Sequence, residues 1–166
     1  MIVLPEFFED ARSYLKNMVV VSGGFDPIHS GHLHYINCAA ALSPYATLVA
    51  IVNGDGFLKR KKGMYALEQN ERALIVDNLK AVDYTVIWDD GTQYVDGLLR
   101  KIRPMIFAKG GDRNSDQDMP TEELQACREV GCEIVYGIGG AEKLNSSRFI
   151  IDWIKNETTR TTSFIG

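Results

Sequence analysis

Five short apolar runs alternate along the chain with longer stretches in which apolar residues recur every three or four positions. The runs lie at 18–21 (Met-Val-Val-Val), 46–52, 84–88, 105–108 and 133–136. Continuous runs of this kind, rich in β-branched residues and bounded by turn residues, predict strands buried on both faces. Helical spacing predicts helices over 33–40 and 67–79, a helix with Val95, Leu98, Leu99 and Ile102 on one face, and another over 121–130. Asp89-Asp90-Gly91-Thr92 reads as the cap of the third of these, Pro104 as its stop, Thr121 as the cap of the fourth and Gly131 as its end. Strand and helix in alternation indicate an α/β protein with a doubly wound parallel sheet of five strands and helices on both faces, an α/β/α sandwich.

The flanks add a helix over 5–16, with Phe7, Phe8, Ala11 and Leu15 on one side, expected to cover a sheet edge or meet a second subunit. A last helix opens at Asn145-Ser146-Ser147-Arg148 and runs through Ile154. The organisation is thus one domain, with an N-terminal helical extension (1–17), a core (18–155) and a short polar tail (156–166). The segment 114–120 is polar and reads as a mobile loop.

With 166 residues, 45% of them hydrophobic, the chain suffices for one well-packed domain and is too short for two of ordinary size. A net charge of −4 argues against an open nucleic-acid surface, so an anionic ligand must be small and held by a concentrated site. Cys38, Cys127 and Cys132 share no metal-type spacing and read as small apolar side chains in a reducing compartment. No segment approaches membrane-spanning length and no basic leader is evident, so a cytoplasmic protein is expected.

The chemistry concentrates in Ser22-Gly23-Gly24-Phe25-Asp26-Pro27-Ile28-His29-Ser30-Gly31-His32, between the first strand and the helix that follows. Free N–H groups and the positive dipole end at such a helix start favour an anion, and Gly23 and Gly24 put no side chain between backbone and phosphate. His29 and His32 sit three apart, and Gly31 between them leaves room for a ligand. Two imidazoles converging on a phosphate can donate hydrogen bonds to the charge that builds up in an in-line displacement. The same spacing could hold a metal, but no nearby Cys or third His completes a ligand set. Satisfied polar residues in a turn would explain one such histidine; they do not explain the glycines, Phe-Asp-Pro and both histidines together.

Gly24-x-Asp26-x-x-His29-x-Gly31-His32 after a first strand resembles the signature of the nucleotidylyltransferase superfamily, which includes cytidylyltransferases and sugar-phosphate adenylyltransferases. The resemblance covers roughly 18–155 and implies a Rossmann-like fold. Members carry lysines after the second strand; here Phe57-Leu58-Lys59-Arg60-Lys61-Lys62-Gly63 is the dense basic run, read as a flexible loop able to close over a triphosphate. By that resemblance Lys59, Lys61 or Lys62, and Arg72 of the Glu71-Arg72 pair, are phosphate-binding candidates. Lys109-Gly110-Gly111-Asp112 resembles the corresponding turn of heptose 1-phosphate adenylyltransferases, where bare backbone meets the base or ribose. Asn145-Ser146-Ser147 matches in type the helix start at which members hold the outer phosphates, with Asn where Ser is usual. An arginine that some cytidylyltransferases carry just upstream has Gly140 in its place.

What the resemblance implies is attack by a phosphate oxygen of a small phosphorylated sugar or polyol on the α-phosphorus of ATP or CTP, with release of pyrophosphate. His29, His32 and Lys59 take the catalytic roles. Gly23, Gly24, Phe25, Asp26, Gly31, Lys62, Arg72, Lys109, Gly110, Gly111, Asp112, Asn145, Ser146 and Ser147 form the nucleotide site. Mg²⁺ travels with the triphosphate and needs no dedicated ligand set, Asp26 being its possible contact. The leading expectation is heptose 1-phosphate adenylyl transfer. The alternatives are a CTP-dependent enzyme for glycerol 3-phosphate, an aminoalcohol phosphate or a phosphonate, and a non-catalytic nucleotide-binding protein. Related enzymes are often homodimers; no nucleic-acid or membrane partner is implied.

Overall fold

The computed structural model describes residues 1–111, 113–140, 150–152 and 154–155. Its element order is α1 (Phe7–Ala11), β1 (Met18–Gly23), α2 (Ser30–Ala40), β2 (Thr47–Asn53), α3 (Asp55–Lys62), α4 (Gln69–Asp77), β3 (Tyr84–Trp88), α5 (Asp96–Ile102), β4 (Ile106–Gly110), a 3-10 turn (Asp116–Asp118), α6 (Thr121–Val130) and β5 (Glu133–Ile138). All five expected strands form, and the sheet is parallel throughout with the order β3-β2-β1-β4-β5.

Alternation along the strands divides the core. Val19 and Val21 of β1, with Leu48, Ala50 and Val52 of β2, pack with Ile36 and Ala39 of α2 and Ala73 and Val76 of α4. Val20, Val49 and Ile51 face the other way, toward Phe8, Phe57, Leu58, Leu98, Leu99, Ile102 and Ala126. Strands covered on both faces cannot carry a polar side, which is why they appear in the sequence as unbroken apolar runs. Because the chain leaves β1 toward β2 and later enters β4 on β1's other side, the connections diverge at the carboxyl ends of β1 and β4. In open α/β sheets that divergence leaves a crevice.

Five local expectations are corrected. The basic run is a helix, α3, ending in Gly63 with φ 81°. Asp89 anchors it: its carboxylate accepts from the Phe57 N–H at 2.9 Å and pairs with Arg60. Asp89 therefore does not cap α5, whose N-cap is Val95 with no side-chain cap; Pro120 likewise stands at the N-cap of α6, ahead of Thr121. The 114–120 segment is tied down: the Asp118 carboxylate accepts from the N–H groups of Asn114 and Ser115 at 2.8 and 3.3 Å, in a capping box with Ser115. The N-terminal helix is a short one, Phe7–Ala11. Ahead of it residues 1–3 run along the outer edge of β3, with Ile2 bridged to Thr85.

Residues 150–152 and 154–155 are helical, as expected of the last helix. The helix start at Asn145-Ser146-Ser147, the tail and Asp112 lie outside the described residues. Among the described residues no helix is long and apolar enough to cross a membrane.

Candidate functional site

A pocket of about 390 Å³ occupies the crevice at the carboxyl ends of β1 and β4. Of the residues proposed from the sequence it brings together Gly23, Gly24, Phe25, His29, Gly31, His32, Lys62, Lys109, Gly110 and Gly111. They come from strand ends, the turn after β1, the first turn of α2 and the last turn of α3.

His29 is the N-cap of α2, and its Nδ1 accepts the Gly31 N–H at 3.1 Å. A neutral imidazole that accepts at Nδ1 carries its proton on Nε2, so the turn itself selects the tautomer. His32, one turn inside the helix, stacks on His29 with ring centroids 3.8 Å apart, while Phe25 meets its edge at 5.2 Å. Burial, then His29 and then Lys62, push the His32 pKa down to about 3; burial also lowers that of His29. At neutral pH both rings are uncharged donors, and the positive charge of the site resides on its lysines and Arg113.

Lys62 reaches that end of the pocket: a Cβ built on Gly24 would lie 3.7 Å from its Nζ and 3.0 Å from Leu58 Cδ2. Gly24 thus keeps open the space beside the ammonium. Lys61 also lines the pocket, and burial lowers its pKa, with Glu123 opposing and Arg113, Lys109 and Lys62 reinforcing the shift. Lys59 does not line it; its ammonium lies over the Tyr65 ring at 5.2 Å. Lys59 stands one turn before Lys62 along α3, nearer the helix start, and the Tyr65 ring takes up its ammonium.

Two further residues are corrected. Arg72 is fully buried and outside the pocket lining, its guanidinium donating to the carbonyls of Leu67, Gly24 and Asn53 at 2.8, 2.7 and 2.6 Å and to Asp55 at 2.7 Å. It clamps the ends of β1 and β2 with four of its five N–H donors, and full burial keeps it from a phosphate in the pocket. Asp26 accepts from the N–H groups of Ala66 and Leu67, both at 2.8 Å, and is also buried. Its oxygens fix the loop after α3 to the histidine turn, and Asp26 is not among the residues that line the pocket. Among the described residues no group of three His, Cys, Asp or Glu side chains could hold a metal ion.

The pocket also contains residues that sequence reasoning passed over. Glu123 of α6 and Arg113 line it, with Asn53, Phe57 and Val95. Glu123 is 5% exposed and pairs with Lys109 at 3.2 Å. Nothing local marks it, since Glu122 and Glu123 look alike at an acidic helix start. Gly139, with φ 84°, also lines the pocket and approaches the Tyr35 backbone, where an added Cβ would stand 3.4 Å from Tyr35 Cα. Tyr35 in turn donates from its hydroxyl to the Ala108 carbonyl at 2.7 Å, fixing α2 against β4.

The chain is similar to known proteins. A family model described as cytidylyltransferase-like matches residues 20–162. The bifunctional protein HldE of Alcanivorax borkumensis is 34% identical over 155 residues, covering 91% of this chain and 28% of that protein. HldE of Wolinella succinogenes is 38% identical over 103 residues, 61% of this chain and 21% of the other. The chain therefore corresponds to a minor part of the length of these relatives. Among solved structures, the lipopolysaccharide core biosynthesis protein of Thermoplasma volcanium superposes with a TM-score of 0.61 at 25% identity, covering 72% of this chain and 93% of that one.

Proposed function

The chain belongs to the cytidylyltransferase-like family of nucleotidyltransferases, and from that premise we propose that it transfers AMP from ATP to a heptose 1-phosphate and releases pyrophosphate. The observation that carries the transfer chemistry is the stacked, uncharged His29–His32 pair at the amino end of α2, in one pocket with Lys62. The Lys109-Gly110-Gly111-Asp112 turn, with its likeness to heptose 1-phosphate adenylyltransferases, supports the choice of base and acceptor.

In the reaction a phosphate oxygen of the acceptor bonds to the α-phosphorus as the bond from that phosphorus to the bridging oxygen of the β-phosphate breaks. The electron pair leaves with pyrophosphate. The nucleophile is already anionic, so no general base is required, and catalysis rests on position and charge stabilisation. His29 donates from Nε2 toward the α-phosphate, His32 donates beside it, and Lys62 offsets the charge that grows on the departing pyrophosphate. Mg²⁺ enters on the triphosphate as part of the substrate.

The test is pyrophosphate release with ATP or CTP, each crossed with heptose 1-phosphate, glycerol 3-phosphate and phosphoethanolamine, with His32→Ala as control. Release with ATP and the heptose phosphate, lost in the control, is the expected result. Release only with CTP would transfer the protein to the cytidylyl branch. Tight nucleotide binding with no release from any pair would overturn the enzymatic reading.

A further inference from the structure

Glu123 and Lys109 form a buried ion pair that the transfer chemistry leaves unused, yet both line the pocket. Their side chains are 7% and 12% exposed. Lys109 Nζ also lies 4.2 Å from the centre of the Phe107 ring, and the neighbouring walls are Phe57, Val95 and Pro120. In such apolar surroundings an ion pair adds little stability over apolar residues of similar volume, because desolvation offsets the attraction. Its place on the wall of a pocket gives it a different use.

Among the described residues the carboxylate is only partly satisfied from within. Glu123 Oε1 accepts the Val95 N–H at 3.3 Å and Oε2 accepts Lys109 at 3.2 Å, both at the long end of hydrogen bonding. A carboxylate has about four acceptor positions, so capacity remains for donors arriving through the pocket. A triphosphate is not such a donor, since two anions repel. An ammonium group would be a donor, but Lys61, Lys109 and Arg113 all lie close enough to share the local field with Glu123, and a ligand cation would join an excess of positive charge. Neutral hydroxyl groups on a phosphorylated ligand satisfy both conditions: they donate to Glu123, and the phosphate is drawn by the cations.

We propose that Glu123, held by Lys109 and Val95, binds the hydroxyl groups of a polyhydroxylated phosphate acceptor and excludes acceptors that carry an ammonium group. The acceptor's phosphate then points toward the histidine end, with Lys61 and Arg113 beside its path. The nucleotide keeps the glycine-lined side of the pocket at Gly110, Gly111 and Gly139. This assignment rests on the transferase reading for its naming of the ligand as an acceptor, and deepens it by fixing the acceptor's chemical class.

Binding separates the two ideas. Heptose 1-phosphate and phosphoethanolamine are titrated calorimetrically into the full chain saturated with α,β-methylene-ATP, which cannot release pyrophosphate, and the nucleotide analogue is titrated alone. Glu123→Gln keeps the shape and the Val95 contact. It should weaken heptose 1-phosphate about tenfold to a hundredfold, as expected for hydrogen bonds to a charged group, and leave the nucleotide analogue and methyl phosphate unchanged. Glu123→Asp keeps the charge opposite Lys109 but withdraws the carboxylate by one methylene, so it serves if the Gln variant is unstable, and the same selective loss is expected. Weaker binding of the nucleotide in place of the acceptor would assign Glu123 to the ribose and overturn the proposal. So would unchanged heptose phosphate binding, or phosphoethanolamine binding as tightly as the sugar. A wild-type chain that binds the sugar selectively but releases no pyrophosphate from ATP would sink the transferase reading while the subsite stands.

Discussion

Arg72 donates to the carbonyl oxygen of Gly24 at 2.7 Å, so a helix on one face of the sheet holds the glycine turn that faces the pocket. The same nitrogen also reaches the Asn53 carbonyl, and the remaining donors meet Leu67 and Asp55. Removing the guanidinium leaves buried acceptors and Asp55 without a partner. Arg72→Met should cost about 3–5 kcal/mol of stability, the range for breaking one side of a buried pair, measured by urea unfolding. Arg72→Lys should recover only part of this, since one ammonium cannot span four acceptors in a fork. A Met variant as stable as wild type would show the clamp to be dispensable.

The low pKa of His32 predicts how stability follows pH. The folded value, about 3, lies below the ordinary 6.5, so between these pH values the unfolded chain binds a proton that the folded chain does not. Stability from this group is complete above pH 6.5 and declines as the pH falls through that window. His32→Gln should flatten the decline in acid-unfolding curves. In NMR titration the wild-type ring should stay uncharged where a free histidine protonates; a midpoint near the free value would contradict the burial argument.

Lysine positions in α3 should differ sharply in their effect on turnover. Lys62→Ala removes the cation beside Gly24 and should lower kcat/KM about a hundredfold, as is usual for losing a donor to developing charge. Lys59→Ala should change little, because Lys59 lies over Tyr65 and outside the pocket. Steady-state kinetics of the two variants decides this, and equal losses would mean that α3 rotates when substrate binds.

Gly54 stands where α3 begins, and a Cβ there would lie 2.6 Å from Asp89 Cβ and 3.0 Å from Gln69 Oε1. The Asp89 anchor of α3 would have to shift. Gly54→Ala should destabilise by about 1–3 kcal/mol, the usual cost of overpacking. Thermal melting would register it, and an unchanged Tm would mean that Asp89 moves aside freely.

The sheet was legible because burial on both faces writes itself into consecutive residues, and β3 at Tyr84–Trp88 coincides with its apolar run. The histidine turn was legible because its parts are contiguous. Two of the misreadings share one cause, which is partners far along the chain. Lys59–Lys62 look like a loop until Asp89 is seen holding the helix start, and Arg72 looks like a phosphate ligand until Gly24 and Asn53 are seen to occupy it. The 114–120 segment is different: Ser115-x-x-Asp118 carries the spacing of a capping box, so its order was readable from local chemistry alone. Glu123 had no such mark, because its role depends on a lysine contributed by β4.

The parallel bridge at Ile2 bears on how the molecule behaves among its own copies. Thr85 donates its N–H to the Met1 carbonyl at 3.0 Å and accepts from the Val3 N–H at 2.9 Å, so part of β3's outward hydrogen-bonding row is already occupied. An unpaired strand edge is a template on which a second chain can add and aggregation can begin. Here that template is shortened by residues 1–3 of the same chain, and concentrated solutions should owe part of their clarity to three residues that lie outside the pocket.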